Sequence, residues 1–300
     1  MRALVTGANG FVGRHLRAHL EGVGDQVYGL DVECDVTDRQ AVVARVGQVE
    51  PDVIYHLAAL SHVGRSWERP EDYTRVNVLG TINVLHGAHE AALGATVVVI
   101  SSADVYGVVA EKDLPLRETH PPVPANPYAQ SKLEAELAAR EAVRTRGQRV
   151  VIARPFNHVG PGQSVDFVVP ALVDRLLDAR ERSLDQIAVG DLSTRRDFSD
   201  VRDVVRAYRL LALYGVTGDV YNVASGHDVA LYDLAVQLVE RIAPSVRLEV
   251  EPGLLRPVEV PVMRGDFEKL HVATGWEPSI DLATSLADVI DDLIARRGAR

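Results

Sequence analysis

The sequence predicts an α/β protein, with a doubly wound parallel sheet and a smaller, interleaved C-terminal lobe. Short runs rich in valine and isoleucine alternate with helical patterns through the first half of the 300-residue chain. Most of these runs lack polar alternation, which is typical of strands buried on both faces of a parallel sheet. A β–α–β alternation also favours right-handed crossovers, so helices should cover both faces of the sheet.

Five strands and four helices are predicted in the first half of the chain. The strands are 2–6, 26–30, 52–58, 95–101 and 149–154, and the helices are 11–20, 38–46, 70–92 and 127–146. Gly94 and Gly147 follow the two longest helices. Because glycine readily adopts the left-handed conformation that ends many helices, both residues are predicted to terminate the helix before them.

The pattern loosens after residue 155, where a glycine–proline turn spans 160–162. Helices are predicted at 167–182, 201–214, 231–242 and 282–296, with short strands at 187–189 and 220–223. Short elements interrupted by proline favour a lobe that closes over the end of a sheet. We therefore expect a larger domain of residues 1–156 plus 200–224 and a second lobe of residues 157–199 plus 225–300.

Composition and charge exclude several classes of protein. The chain has 42 acidic and 32 basic residues and no basic run, which argues against a nucleic-acid partner. Its apolar runs are shorter than the roughly 20 residues that a membrane span needs. A single cysteine, Cys34, excludes an intrachain disulfide and a cysteine-cluster metal site. We expect a soluble, cytoplasmic protein that binds no metal and no membrane.

A glycine-rich turn joins the first strand to the first helix. Its glycines, at positions 7, 10 and 13, would permit a tight turn, close approach of a pyrophosphate and close helix–strand packing. The amides at the helix start would then face the phosphates. In this strand–turn–helix context the pattern predicts dinucleotide binding by Gly7, Asn9, Gly10, Phe11, Val12 and Gly13.

Asp31 ends the second strand, 18 positions after Gly13. A carboxylate at this place can accept both ribose hydroxyls of an adenosine and would repel a 2′-phosphate, so NAD(H) is favoured over NADP(H). The alternative is an ordinary acid at a strand end. Asp35 and Val36 are predicted near the adenine, and the small residues after the third strand near the phosphates. The further predicted cofactor contacts are Leu57, Ala58, Ala59, Asn77 and Pro155.

Tyr128 and Lys132 are four residues apart and therefore share one face of a helix. A free phenol, with a pKa of about 10, holds its proton firmly. A nearby ammonium should lower that pKa and make the tyrosine a usable acid or base. Ser102, after the fourth strand, can orient a reacting carbonyl. Taken alone, such a pair is usually a solvated helix face, but together with the glycine turn it predicts catalysis by Ser102, Tyr128 and Lys132.

These residues resemble the extended short-chain dehydrogenase/reductase family, also described as NAD-dependent epimerases and dehydratases, over nearly the whole chain. Its members act on nucleotide sugars and have a Rossmann domain. The resemblance implies that Tyr128 moves a proton at the sugar O4 and that Ser102 bonds the sugar oxygen. It also implies that Lys132 holds the nicotinamide ribose, that Tyr128 too contacts the cofactor, and that hydride passes between C4 and the nicotinamide.

The segment after the fourth strand distinguishes branches of this family. The 4,6-dehydratases carry acidic residues where this chain has Ala103 and Asp104. Alanine cannot act as an acid, and Asp104 is one methylene shorter than the usual glutamate. Later segments (154–163, 167–170, 195–198, 200–204, 256–261 and 275–278) resemble the reductases of GDP-4-keto-6-deoxy-D-mannose. The resemblance implies NAD(P)H-dependent reduction of the C4 ketone, which gives GDP-D-rhamnose.

The same resemblance implies contacts with a GDP-sugar substrate. It places arginines and an asparagine on the phosphates, a glutamate on the nucleotide ribose and two valines beside the base. An aspartate would orient Tyr128 or the sugar, or else cap its own loop. The residues concerned are Asp104, Asn157, Val168, Val169, Arg196, Arg256 and Glu259.

Two other activities stay open for this chain. A 4-epimerase or 4,6-dehydratase of the same family retains its NAD, whereas a reductase exchanges its cofactor at each turnover. A non-catalytic dinucleotide sensor is a third possibility, against which the complete Ser–Tyr–Lys set argues. By resemblance we also expect a homodimer formed through the helices at 70–92 and 127–146.

Overall fold

The structure is a computed structural model and describes residues 1–31, 34–254, 258 and 260–298. Its strands are β1 (Arg2–Thr6), β2 (Gln26–Leu30), β3 (Val53–His56), β4 (Thr96–Ile100), β5 (Arg149–Pro155), β6 (Asn157–Val159), β7 (Gln186–Val189), β8 (Arg195–Asp200), β9 (Val220–Val223), β10 (Asp228–Ala230), β11 (Arg247–Val250) and β12 (Val262–Met263). The predicted strands of the first half are all present.

Helices alternate with these strands. They are α1 (Phe11–Gly22), α2 (Arg39–Val49), α3 (Val63–Ser66), α4 (Pro70–Tyr73), α5 (Gly80–Ala91), α6 (Pro127–Arg146), α7 (Val168–Arg182), α8 (Val201–Tyr214), α9 (Leu231–Ile242), α10 (Glu268–Thr274) and α11 (Leu282–Gly298). A π-helical segment, Thr74–Leu79, connects α4 to α5 without a break. The predicted helix at 70–92 is therefore continuous but widened by π-helical turns.

Six strands form a parallel sheet in the order β2–β1–β3–β4–β5–β9. Helices α1 and α8 bury their apolar faces on one side of it, and α2, α5 and α6 on the other. The strand order reverses between β1 and β3. Ligands of doubly wound sheets bind at the carboxyl ends of the strands beside such a reversal, so the fold itself directs attention to residues 6–13 and 57–60.

A second lobe packs over this carboxyl edge. Strands β10, β8 and β12 form a small sheet, β6 pairs with β8, and β7 pairs with β11. Helices α7, α9 and α11 enclose a separate apolar core with these strands. The segment at 267–276 is an exception within the lobe, because Leu270 and Trp276 pack into the core of the large sheet.

The two glycines predicted to end helices behave differently. Gly147 has a φ of 64° and follows the last residue of α6, which confirms the prediction. The prediction for Gly94 is wrong, because α5 already ends at Ala91 and Ala92 leaves the helix with a φ of −151°. Within the described residues, no helix is both long enough and apolar enough to cross a membrane.

Candidate active site

The turn between β1 and α1 has no room for a side chain at Gly7 or Gly13. Gly7 has a φ of 67°, and a Cβ placed on it would lie 2.9 Å from the Ala58 nitrogen. A Cβ on Gly13 would lie 2.2 Å from the Gly7 carbonyl oxygen, which real structures do not tolerate. Gly10 is the N-cap of α1. The bare backbone and the helix start form the kind of cradle that accepts a pyrophosphate.

The acid predicted to select the cofactor lies beside this cradle. Asp31 Oδ2 accepts a 2.6 Å hydrogen bond from the Asn9 amide, which joins the end of β2 to the glycine turn. Farther along, Asp35 accepts from the Thr37 amide, and this hydrogen bond lowers the pKa of the Asp35 carboxyl. Val36 is buried and its carbonyl accepts from Asn83. Asp31 therefore lies against the glycine turn, and its contact with an adenosine ribose stays a prediction.

Asn77 lies in the π-helical segment and is buried. Its Oδ1 accepts from the Leu60 amide at 2.8 Å, and its Nδ2 donates to the Leu60 carbonyl at 3.0 Å and to Ser131 Oγ at 2.9 Å. The amide therefore ties the loop after β3 to helix α6. The predicted contact of Asn77 with a cofactor stays a prediction, but its side chain is already engaged in holding this loop.

The three predicted catalytic side chains come together at the carboxyl edge. Tyr128 and Lys132 lie in α6, where they are 8 % and 7 % exposed, and Ser102 follows β4 and is also buried. The Asn126 side chain caps the start of α6, two residues before Tyr128, and so fixes where the helix begins. Lys132 Nζ donates a 2.8 Å hydrogen bond to the Ile100 carbonyl at the end of β4. The lysine is directed inward, not toward solvent.

The acidity of Tyr128 differs from the expectation. Burial raises its pKa well above the ordinary value, the charge of Asp104 raises it further, and a hydrogen bond with Ser102 opposes both effects. The predicted lowering of this pKa by Lys132 is therefore wrong, because desolvation of the buried phenol dominates. Tyr128 is held protonated, the state of a proton donor.

The pKa of Lys132 is also shifted. Burial lowers its pKa to about 8, and the carboxylate of Glu136, one helical turn farther along α6, opposes this effect. Glu136 also accepts a bidentate pair of hydrogen bonds from Arg154 of β5, at 2.8 and 2.7 Å, and one from Ser101. This ion pair is buried beneath the site, and Arg154 lies over the ring of Tyr106.

Sequence reasoning did not single out this ion pair. Two signals were present in the sequence, the Lys-x-x-x-Glu spacing in α6 and an arginine at the end of an otherwise apolar strand. Neither signal reveals that Glu136 and Arg154 face each other. Pro155, a predicted cofactor contact, follows directly in β5 at the same edge of the sheet.

Most of the predicted substrate residues that the structure describes lie in the second lobe. Asn157 begins β6, which pairs in parallel with β8, and Arg196 lies on β8. Val168 begins α7 and is partly buried, but the side chain of Val169 packs into the core of the lobe. Asp104 lies in the turn after Ser102 and acts electrostatically on Tyr128. Arg256 and Glu259 lie outside the described residues.

Contacts between the two lobes border the same region. The rings of His62 and Phe167 are 6.4 Å apart, and Arg65 pairs with Asp166. Tyr73, whose hydroxyl donates to the His62 carbonyl, meets Tyr128 edge to face. The loop after β3 therefore lies between Tyr128 and the start of α7.

A family model described as GDP-mannose 4,6 dehydratase matches residues 31–289. The chain belongs to this GDP-mannose 4,6-dehydratase family. The match confirms the predicted family and, with the solved structures below, the Rossmann-like fold and the assignment to NAD(P)-dependent oxidoreductase-type enzymes.

Individual members of the GDP-mannose 4,6-dehydratase family are similar over their full length. A GDP-6-deoxy-D-mannose reductase from Pseudomonas aeruginosa is 38% identical over 98% of both chains. A GDP-6-deoxy-D-talose 4-dehydrogenase from Aggregatibacter actinomycetemcomitans is 31% identical and covers 99% of this chain and 98% of its own.

Solved structures of the same family agree with this fold. The structure of RMD from Pseudomonas aeruginosa with NADPH has a TM-score of 0.89 at 36% identity and covers 99% of this chain and 100% of its own. DesIV, a dTDP-glucose 4,6-dehydratase from Streptomyces venezuelae with NAD and TYD bound, has a TM-score of 0.89 at 29% identity, covering 100% and 98%. The family uses nicotinamide dinucleotides, and the bare glycine cradle of this chain fits such a group.

Proposed function

We propose that this protein reduces the C4 ketone of GDP-4-keto-6-deoxy-D-mannose with NAD(P)H and forms GDP-D-rhamnose. The observation that carries the proposal is the buried phenol of Tyr128, hydrogen-bonded to Ser102 at the carboxyl edge of the sheet. A ketone that accepts hydride must also accept a proton, and Tyr128 is held in the state that can give one. The 38% identity with the Pseudomonas reductase supports the choice of substrate.

The residues of this chain have separate tasks in that reaction. A bound reduced nicotinamide supplies the hydride. Ser102 hydrogen-bonds the carbonyl oxygen and orients C4, and Tyr128 gives its proton to O4 as the new C–H bond forms. Lys132, which is hydrogen-bonded to the Ile100 carbonyl at the end of β4, would hold the nicotinamide ribose. The hydride and one proton convert the C=O group to a secondary alcohol, so atoms and charge balance.

The cofactor would be held by the glycine turn and the end of β2. Gly7, Gly10 and Gly13 would accept the pyrophosphate, and Asp31 the adenosine ribose. Tyr128 and Lys132 would lie at the nicotinamide end. Because Ala58 touches the place of a Cβ on Gly7, the loop at 57–59 closes the cradle from the other side.

An epimerase or dehydratase is less well supported. Both must first oxidise the sugar at C4, whereas the relative that is 38% identical over 98% of this chain is a GDP-6-deoxy-D-mannose reductase. Dehydration also needs an acid after Ser102, and Ala103 occupies the first of the two places. A non-catalytic sensor would need none of the buried groups around Tyr128.

A panel of substrates tests the proposed activity. Loss of nicotinamide absorbance should be fastest with GDP-4-keto-6-deoxy-D-mannose and slower with the matching UDP and dTDP 4-keto sugars. The wild-type protein should also release its cofactor at each turnover. Protein that co-purifies with NAD, interconverts two GDP-sugars and consumes no reduced cofactor would instead be an epimerase.

Cofactor choice is a separate part of the proposal. We expect NADH to be preferred, because the Asp31 carboxylate at the end of β2 would repel a 2′-phosphate, although the similar Pseudomonas structure contains NADPH. Asp31→Asn should raise the ratio of kcat/KM for NADPH to that for NADH by about tenfold, equivalent to about 1.4 kcal/mol. Asp52→Asn removes a carboxylate at the opposite, amino-terminal end of the sheet, so it is the matched control and should leave this ratio unchanged. An unchanged ratio in Asp31→Asn would refute the assigned role.

We propose that the larger domain comprises residues 1–156 plus 200–224 and that the rest forms the sugar-nucleotide lobe. Strand β9 belongs to the large sheet and α8 packs against that sheet, which supports the return of the chain at 200–224. Asn157, Val168 and Arg196 are proposed substrate contacts of the second lobe. For Val169 the backbone is the part that would meet a ligand, because its side chain is buried.

We also propose that two copies associate through the helices at 70–91 and α6. The face of the first helix carries an apolar groove lined by Val78, Leu79 and Ile82. Leu79 is 42% exposed and Leu137 of α6 is 58% exposed. Light scattering at micromolar concentration should give the mass of two chains, and Leu79→Glu should lower it. A wild-type mass of one chain would rule out this dimer.

A further inference from the structure

A row of buried polar side chains crosses beneath the carboxyl edge of the sheet. It runs from β1 through β3 and the π-helical segment to α6, and its members are only 1–4 % exposed. Its members are Thr6, His56, Thr81, Asn77 and Ser131. Because these groups are shielded from water, each must find its hydrogen-bond partner within the protein.

Only one placement of the hydrogen atoms gives every donor and acceptor of this row a partner. Thr81 Oγ1 donates to the Asn77 carbonyl at 2.6 Å, so it must accept from His56 Nε2, which lies 3.0 Å away. His56 therefore carries its proton on Nε2. Its Nδ1 then accepts from Thr6 Oγ1 at 2.9 Å, and Thr6 Oγ1 in turn accepts from the Ala58 amide at 3.0 Å.

The other tautomer breaks this arrangement. A proton on Nδ1 would leave the hydroxyl hydrogen of Thr6 without its acceptor, and Thr81 would have to satisfy both Nε2 and the Asn77 carbonyl with one hydrogen. A doubly protonated ring is disfavoured as well, because burial and the charge of Lys132 lower the pKa of His56 to about 3. The ring is thus a fixed, uncharged bridge between two hydroxyl groups.

The two ends of the row lie at the two halves of the proposed active site. Thr6 immediately precedes Gly7, and its partner Ala58 is the residue against which Gly7 packs. At the other end, Asn77 Nδ2 donates to Ser131 Oγ, which donates to the Tyr128 carbonyl at 2.7 Å. Ser131 also lies between Tyr128 and Lys132 in sequence.

We propose that His56, as its Nε2–H tautomer, is a positioning residue that holds the dinucleotide turn and the catalytic helix in fixed relation. The inference rests on the proposed function, since it assigns Tyr128 and the glycine turn to one reaction. His56 acts through Thr6 and Thr81 and touches neither substrate nor cofactor. Loss of the Thr6 hydroxyl or of the Thr81 hydroxyl would therefore loosen both the loop at 57–60 and the start of α6.

The test compares Thr81→Val with Thr81→Ser. Valine has the shape of threonine but can neither accept from His56 nor donate to Asn77, whereas serine can do both. Thr81→Val should weaken cofactor binding and lower kcat, each by about tenfold, since two buried groups lose their partner. Thr81→Ser should stay within about twofold of the wild type in both. If Thr81→Val only lowers Tm and leaves cofactor Kd and kcat unchanged, the row is merely structural and the proposal is wrong.

A second measurement needs neither a variant nor a substrate. Nitrogen-15 NMR of the wild-type protein should show His56 as the Nε2–H tautomer, with no titration between about pH 5 and 8. An Nδ1–H signal, or titration in that range, would overturn the assignment. Because cofactor Kd and the NMR signal require no sugar, they test His56 even if GDP-4-keto-6-deoxy-D-mannose is not the substrate.

Discussion

Replacing Tyr128 with phenylalanine should lower kcat by about 10²- to 10⁴-fold while cofactor binding changes little. The variant keeps the buried ring and the start of α6 but removes the proton that O4 must receive. No water can easily take its place, because Tyr128 is buried among Ser102, Asp104 and Tyr73. Single-turnover reduction by Tyr128→Phe and cofactor Kd by fluorescence measure the two effects.

Tyr73→Phe is the matched control. Tyr73 meets Tyr128 edge to face, with ring centroids 6.4 Å apart, but its hydroxyl is directed at the His62 carbonyl and not at the site. The kcat of Tyr73→Phe should stay within about tenfold of the wild type, because this variant loses only the hydrogen bond to the loop after β3. Near-normal turnover by Tyr128→Phe would show that another group supplies the proton.

The second large effect is expected at Glu136. Glu136→Gln leaves the buried guanidinium of Arg154 without a counter-charge, which should lower the free energy of unfolding by about 3–5 kcal/mol. It also removes the carboxylate that raises the pKa of Lys132 against the effect of burial. Since the lysine is charged only below its pKa, the alkaline limb of the kcat/KM profile should move to lower pH.

Two further variants make this result interpretable. Glu141→Gln breaks the exposed ion pair of Glu141 with Arg144 on the same helix. It should lower the free energy of unfolding by less than about 1 kcal/mol. The double variant Glu136→Met with Arg154→Met leaves no unpaired charge and should recover part of the stability. It should nevertheless keep the shifted alkaline limb. If the alkaline limb of the kcat/KM profile stays at the wild-type pH in both Glu136 variants, the Glu136 carboxylate does not shift the pKa of Lys132.

Local patterns in the sequence predicted much of this molecule. The glycine turn and the Tyr128–Lys132 spacing each depend on residues close together in the chain, so their elements could be placed without a structure. The parallel strands were equally evident, because β3, β4 and β5 are short apolar runs. Family resemblance then supplied the substrate class, which no local pattern contains.

The remaining features depend on contacts between distant segments. The direction of the Tyr128 pKa shift follows from burial and from Asp104, 24 positions away, and not from the lysine on the same helix. The sequence gives no sign that His56 differs from the other residues of its buried strand. Its hydrogen-bond partners lie in β1 and α5, far from it in the chain. The end of α5 was misplaced because Gly94 is a strong local signal for a helix terminus that tertiary packing did not use.

Transfer of deuterium tests the central claim most directly. The wild-type protein is given GDP-4-keto-6-deoxy-D-mannose and reduced cofactor that carries deuterium at both hydrogen positions of the nicotinamide C4, and the sugar product is examined by mass spectrometry and proton NMR. The account predicts one deuterium per product molecule, located at sugar C4, and a product that co-migrates with GDP-D-rhamnose. Product without deuterium at C4, or no net product while two GDP-sugars interconvert, would contradict it.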